Sequence, residues 1–183
     1  MHTITRTLLG LTIALVSASS MSATCEALAV PAANSAGKSA AQPATTAESN
    51  KRTMERFTRE FLPSGDQKLG EQFISPDIVL HFAGQQMRGR DTYLGIVAAN
   101  QAAFPDLVWT VDHMVAEGDT VAIRYIMTGT HRGNFAGVPG SSKPVVAESM
   151  AFYRLAGGKI VEERAHLDML SVFKQIGTVP GAK

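Results

Sequence analysis

The sequence predicts an α+β fold in which helices pack on one face of a curved antiparallel sheet. Helical apolar spacing occupies the first part of the folded region, and long alternating segments joined by tight turns occupy the second. Hydrophobic residues make up 45% of the 183 residues and charged residues 18%, which is enough apolar material for one core. We expect the end of the sheet that the helices leave uncovered to form a pocket.

The first 27 residues have the order of a secretory signal peptide. Arg6 precedes the apolar run Leu8–Val16, and small residues follow that run. The run is shorter than the roughly 20 apolar residues that a membrane-spanning helix needs. We therefore expect an exported protein, periplasmic or secreted, that is cleaved after Ala23 or Ala27.

Cys25 is the single cysteine of the chain. The folded domain is therefore predicted to have no disulfide, cysteine metal site or cysteine nucleophile. A lipid anchor at Cys25 is the less favoured alternative to free export. Ser22 and Thr24 stand where a lipoprotein signal has a large aliphatic residue and a Gly or Ala.

The remaining chain divides into three parts. Residues 28–50 are rich in alanine, serine, threonine and proline without apolar periodicity, which predicts a flexible linker. One folded domain is predicted over 51–177, followed by a short tail over 178–183. The net charge of +1 has no block of like charges, so nothing indicates a nucleic-acid surface.

Within the domain, apolar spacing and turn residues mark each element. Helices are predicted over 53–62, 67–74 and 92–104, and a closing helix over 169–176 ends at Gly177. The predicted strands are 78–82, 107–116, 120–130, 145–155 and 159–167. A Gly/Pro-containing loop over 133–144 separates two of the long strands.

Several short segments between Lys51 and Gly177 share the order of one known family. They are Phe104-Pro105-Asp106-Leu107, residues 115–122, 129–139, 152–155 and 158–163, then Asp168, Leu170 and 175–177. Together they resemble the SnoaL-like polyketide cyclase family of the nuclear transport factor 2-like superfamily. Each segment alone is a weak signal, and their shared order carries the resemblance.

The resemblance implies a cone-shaped α+β barrel with an apolar pocket. It implies intramolecular aldol ring closure without metal or cofactor, with one aspartate late in the sheet as acid/base. It also implies a homodimer, because sheets of this fold commonly pair across their outer faces. The same cone carries isomerases, dehydratases, epoxide hydrolases and binding modules, so the fold alone does not determine the reaction.

Three residues are predicted to be catalytic. Asp168 matches the family aspartate by its place before the closing helix, and a carboxylate in a dry pocket can remove a proton next to a carbonyl. An N-cap of that helix is the alternative for Asp168. His166 lies on the same strand face and His81 in the first strand, where either could relay a proton or hold a substrate oxygen. The alternatives are a solvent-facing His166 and a hydrogen-bonded core His81.

Further residues are predicted to line the pocket: Trp109, Met150, Phe152, Glu148, Arg124 and Asn100. The first three are pocket walls or plain core. An inward Glu148 would be a second acid/base, and an inward Arg124 could bind an enolate or carboxylate. An ion pair on the outer sheet face is the alternative for Arg124. His131, where a strand enters the loop, is expected to be exposed.

These observations predict a cofactor-independent enzyme that acts on a small or medium apolar carbonyl compound. Phosphate-binding loops, paired metal-ligand histidines and a nucleophile elbow are missing from the sequence, so neither metal nor cofactor is predicted. A non-catalytic binder of an apolar ligand and a dimeric interaction domain are the alternatives. Convergence of Asp168, His166 and His81 in one closed pocket would favour the enzyme.

Overall fold

A computed structural model describes residues 45–178, which form four α-helices and six strands. The elements in chain order are α1 (Thr46–Arg56), α2 (Gln67–Phe73), β1 (Ile74–Phe82), β2 (Gln85–Arg88), α3 (Arg90–Ala103), β3 (Val108–Glu117), β4 (Thr120–Thr130), β5 (Pro144–Ala156), β6 (Lys159–Leu167) and α4 (Met169–Ile176). None of the helices in this described range is long and apolar enough to cross a membrane.

The six strands form one sheet in the order β2-β1-β6-β5-β4-β3. Strands β1 and β6 are parallel, and the other neighbours are antiparallel. The helices cover one face of this curved sheet, so the predicted α+β class is confirmed. The short edge strand β2, which pairs with β1, was not among the predicted strands.

Helix α1 begins inside the segment that the composition assigns to a linker. The Thr45 side chain accepts from the Glu48 backbone N–H at 3.2 Å, and the Glu48 carboxylate accepts from the Thr45 N–H at 2.8 Å. This reciprocal cap starts the helix at Thr46, so the linker prediction is wrong for residues 46–50. The predicted signal peptide over 1–27 and the tail beyond Thr178 lie outside the described residues.

One turn of π-helix, Phe57–Phe61, follows α1. It places Phe57 and Phe61 in the core, where their ring centroids lie 5.2 Å apart. The Phe57 ring also meets Tyr153 of β5 edge-on at 5.9 Å. The aromatic contacts of this turn therefore pack the N-terminal helices against the covered face of the sheet.

Strict alternation along β4 and β5 separates the two faces of the sheet. The side chains that face the helices are buried: Val121, Ile123, Tyr125 and Met127 of β4, with Val145, Ala147, Ser149, Ala151, Tyr153 and Leu155 of β5. The residues between them form the outer face, which no helix covers in the described part of the chain. This alternation decides which candidate residues can reach a pocket.

A bulge at Asp112 changes the parity of β3. The register shifts between Val111 and His113, so Trp109 pairs with inward Met127 while His113 pairs with outward Arg124. An extra residue in one strand turns every later side chain to the opposite face. Trp109 and Val111 therefore face inward, whereas His113 and Val115 beyond the bulge face outward, although simple alternation along β3 would place all four on one face.

Candidate functional site

A cavity of about 150 Å³ lies between the covered face of the sheet and helix α3. Its walls are mainly apolar and include Leu80, Ile96, Val97, Leu107, Trp109 and Phe135. The strands supply one side, α3 supplies the opposite side, and the loop after β4 supplies Phe135. The cavity is the enclosed apolar pocket that the curved sheet predicts.

Four polar side chains meet in this cavity, and we call them the tyrosine–glutamate cluster: Tyr93, Tyr125, Tyr153 and Glu163. Tyr153 and Glu163 are direct partners across β5 and β6, and Tyr93 approaches from α3. The hydroxyls of Tyr125 and Tyr153 lie 3.2 Å apart. Three neighbouring strands and one helix therefore bring the cluster together.

Glu163 is a buried carboxyl with an incomplete set of partners. The residue is 7% exposed, and its Oε2 has no hydrogen-bond partner among the described residues. Burial raises the pKa of Glu163 to about 7, against the smaller opposite effect of the Tyr93 and Tyr153 hydroxyls. Near neutral pH the carboxyl can therefore both accept and release a proton.

The tyrosines of the cluster stay neutral under the same conditions. Burial is the main cause that raises the pKa of Tyr93, Tyr125 and Tyr153. Each hydroxyl carries one proton, and a single proton suffices for the bond between Tyr125 and Tyr153. The second hydroxyl proton of this pair can be donated to Glu163 or to a ligand oxygen. The cluster thus combines a titratable carboxyl with neutral O–H donors.

Asn100 and Trp109 line this cavity, in agreement with their predicted position. Trp109 packs edge-to-face on Tyr125, with ring centroids 5.9 Å apart. Asn100 lies on α3, on the same wall as Tyr93. Their role toward a ligand stays a prediction.

Asp168 and His166 lie outside the cavity lining. Both are exposed, and together with Glu148 and Met150 they line a separate open depression. Asp168 Oδ1 accepts from the Ser171 N–H at 2.9 Å, which is the N-cap of α4 given above as the alternative. The two residues line the same solvent-exposed depression and do not reach the cavity.

Four residues that were predicted to line the pocket lie on the outer face instead: Met150, Phe152, Arg124 and Glu148. The prediction of their orientation is therefore wrong. Met150 and Phe152 are 54% and 57% exposed. Arg124 pairs with Asp112 and, at 2.6 Å, with Glu148, which is the outer-face alternative. The even-numbered residues of β5 point outward because the odd-numbered ones fill the core.

Two histidines also differ from expectation. His81 does not enter the cone, because Leu80 and Phe82 take the inward positions; its Nε2 lies 3.3 Å from Glu162 on the outer face. His131, expected to be exposed, is fully buried. Its Nδ1 lies 3.1 Å from the Ser141 hydroxyl, so it holds the loop after β4 in place.

Glu163 is the residue that the sequence interpretation missed. Its strand places Glu162, Arg164 and His166 on one face and Glu163, Ala165 and Leu167 on the other. The structure places the face with Glu162, Arg164 and His166 on the solvent side, so Glu163 is the charged residue among the three on the inward face. Strand parity alone could have identified it.

The comparisons with known proteins agree with this architecture. The family model described as SnoaL-like polyketide cyclase matches residues 52–176. The aklanonic acid methyl ester cyclase DnrD of Streptomyces peucetius is 24% identical over 107 residues, which cover 58% of this chain and 72% of the relative.

This chain covers nearly the whole length of two solved structures that share its fold. IdmH from Streptomyces antibioticus, described as a candidate polyketide cyclase, is 31% identical with a TM-score of 0.63, over 70% of this chain and 99% of the neighbour. A SnoaL-like candidate from Jannaschia sp. CCS1 is 24% identical with a TM-score of 0.69, over 76% and 99%. The chain belongs to the SnoaL-like polyketide cyclase family.

Proposed function

We propose that this protein catalyses proton transfer next to the carbonyl of a small apolar compound bound in the cavity, with Glu163 as the acid/base. The observation that carries the proposal is one buried, titratable carboxyl beside neutral hydroxyl donors in a mainly apolar cavity. Cyclisation and isomerisation, the reactions that the family suggests, both begin with this step.

The reaction would run in two proton transfers. The ionised Glu163 removes a proton from the carbon next to the carbonyl, which leaves an enolate and a neutral carboxylic acid. The free proton of the Tyr125–Tyr153 pair hydrogen-bonds the enolate oxygen. In a ring closure the enolate carbon bonds to a second carbonyl carbon of the same molecule, and Glu163 returns its proton to the new alkoxide.

The charge of the cavity favours a neutral substrate. Among its described lining residues there is no lysine, arginine or histidine, and Glu163 is the one carboxylate. An anionic substrate would meet Glu163 without any counter-charge. The name of the relative DnrD specifies a methyl ester of an acid, and the same masking of charge would suit this cavity.

Exchange of carbon-bound protons tests the proposal. The purified full-length protein is incubated with cyclohexanone in D₂O at pH 8, and loss of the protons next to the carbonyl is followed by NMR. Wild type is expected to accelerate exchange. Ala151→Leu, which fills the cavity from β5, is expected to abolish the acceleration. Ala156→Leu, at an exposed outer-face position of the same strand, is the matched control and retains it.

Each outcome separates the proposal from the non-catalytic alternative. Exchange at the protein-free rate, with cyclohexanone bound in the cavity, would establish a binding module instead of an enzyme. Exchange that survives Ala151→Leu would place the chemistry elsewhere, and the depression with Asp168 and His166 would become the candidate. Thermal melting of both variants verifies that they are folded.

We also propose that the protein forms a homodimer through the outer face of the sheet. Val115, Ala122 and Phe152 form one row across β3, β4 and β5, and Met150 follows Phe152 on the same face. Such an exposed apolar row supports pairing with a second copy. Sedimentation of wild type beside Phe152→Glu tests it. A dimer that the substitution dissociates supports the proposal, and a monomeric wild type contradicts it.

We also propose that the protein is exported, on the basis of the sequence pattern of residues 1–27. In this proposal a signal peptide is removed and the mature protein works outside the cytoplasm. Recovery from the periplasm or medium, with an N-terminus at Thr24 or Leu28, would support it. Recovery from the cytoplasm alone, with Met1–Leu15 intact, would contradict it.

A further inference from the structure

We infer that the substrate is a compound with a single ring and no negative charge, whose carbonyl meets the tyrosine–glutamate cluster, and that fused polycycles are excluded. The inference rests on the proposed function and adds the substrate class. Three observations carry it: the size of the cavity, the fixed position of its aromatic walls and the lack of a counter-charge for an anion among its described lining residues.

The size of the cavity corresponds to one ring. Its volume of about 150 Å³ equals that of an engineered apolar cavity in another protein, which binds benzene. A second fused ring would have to displace packed side chains, and overpacking of this kind is unfavourable. The cavity therefore admits a ring of benzene size with a small polar substituent.

The aromatic walls are held by their neighbours. Trp109 contacts Tyr125 of the cluster, so that moving the indole would disturb the polar groups as well. Phe135 packs edge-on against Phe104, with ring centroids 5.1 Å apart, and its ring centroid lies 6.3 Å from that of Phe173 of α4. Outward movement of either wall would break these contacts, so the core fixes the size of the cavity.

The cavity wall is mainly apolar, and the tyrosine–glutamate cluster is its main polar feature. Tyr125, Tyr153 and Glu163 lie on β4, β5 and β6, Tyr93 approaches from α3, and the other polar lining residues are Asn100, Gln101 and Ser149. A ligand can place its carbonyl at the cluster and bury its hydrocarbon ring against the apolar residues. An anionic ligand would bury its charge beside Glu163 without a counter-charge, which is strongly unfavourable.

Binding of a matched ligand series to the full-length protein tests the inference without requiring turnover. Cyclohexanone and α-tetralone are neutral ketones with one and two rings, whereas cyclohexanecarboxylate carries a negative charge on a single ring. We expect cyclohexanone to bind at least about tenfold more tightly than each of the others at pH 8. Ala151→Leu should remove the cyclohexanone binding.

Enlarging the cavity gives the opposite prediction. Trp109→Ala is expected to let α-tetralone bind as well as cyclohexanone, and Ile96→Ala serves if the first variant does not fold. Equal binding of α-tetralone to wild type at the site that Ala151→Leu blocks would overturn the size limit. Tighter binding of the carboxylate would overturn the exclusion of anions.

The two proposals can fail separately. Size-selective binding without proton exchange would contradict the proposed function and leave the ligand class standing. Proton exchange in α-tetralone as fast as in cyclohexanone would contradict the ligand class and leave the function of Glu163 standing.

Discussion

Replacing Glu163 by glutamine is expected to slow proton exchange in cyclohexanone by about 100- to 10,000-fold, the range that positioned acid–base groups contribute. Glutamine keeps the size and shape of the side chain but cannot take up a proton. In wild type the rate should rise with pH and level off above about 7, because the carboxylate is the active form and burial raises the pKa of Glu163 to about 7.

Asp168→Asn is the matched control for this prediction. Asp168 is the aspartate that the family resemblance favours, and it caps α4 from an exposed position. We expect Asp168→Asn to keep exchange within a few fold and to leave stability nearly unchanged, because asparagine caps helices about as well as aspartate. The reverse result, a severe loss in Asp168→Asn and little effect of Glu163→Gln, would return the catalytic role to Asp168.

The second large effect concerns stability. The pKa of Glu163 is about 7 in the folded protein, against an ordinary value of 4.5. Between these two pH values the unfolded chain has lost a proton that the folded protein still binds. The contribution of Glu163 to folding is therefore fully present below pH 4.5 and declines as pH rises to about 7. The total loss is about 3 kcal/mol, since each pKa unit corresponds to about 1.4 kcal/mol.

Glu163→Gln should remove this pH dependence. The free energy of unfolding, measured by urea denaturation from pH 4.5 to 8, is expected to rise relative to wild type by about 3 kcal/mol across that interval. Glu55→Gln, at an exposed position of α1, is the control and should run parallel to wild type. A constant difference between Glu163→Gln and wild type would show that Glu163 titrates normally. A buried carboxyl that costs stability at working pH is typical of a functional site.

The sequence predicted the fold class and the long strands, because periodicity and turn residues are local properties. The sequence also holds enough information to tell which faces of β5 and β6 point inward. Apolar residues fill both faces of β5, but the face with Tyr153 has no charged member while the other carries Glu148 and Arg154. Weighing that difference would have placed Met150 and Phe152 outside and directed attention to the inward face of β6, where Glu163 lies.

Other features depend on contacts that local patterns do not report. The bulge at Asp112 reverses the parity of β3, and no glycine marks it. The burial of His131 follows from its packing against Phe104, at a ring distance of 5.4 Å, which only the folded chain brings about. The resemblance to a family directed attention to Asp168, whereas the burial of carboxyl groups in three dimensions selects Glu163.

Infrared difference spectroscopy of Glu163 tests the central claim most directly. Spectra of wild type minus Glu163→Gln, recorded from pH 4 to 9, isolate the C=O stretch of the protonated Glu163 carboxyl. The account predicts a band that is present at pH 5 and disappears with a midpoint near 7. A midpoint near 4.5, or no band at pH 5, would show an ordinary ionised carboxylate and contradict the role of Glu163 as the acid/base.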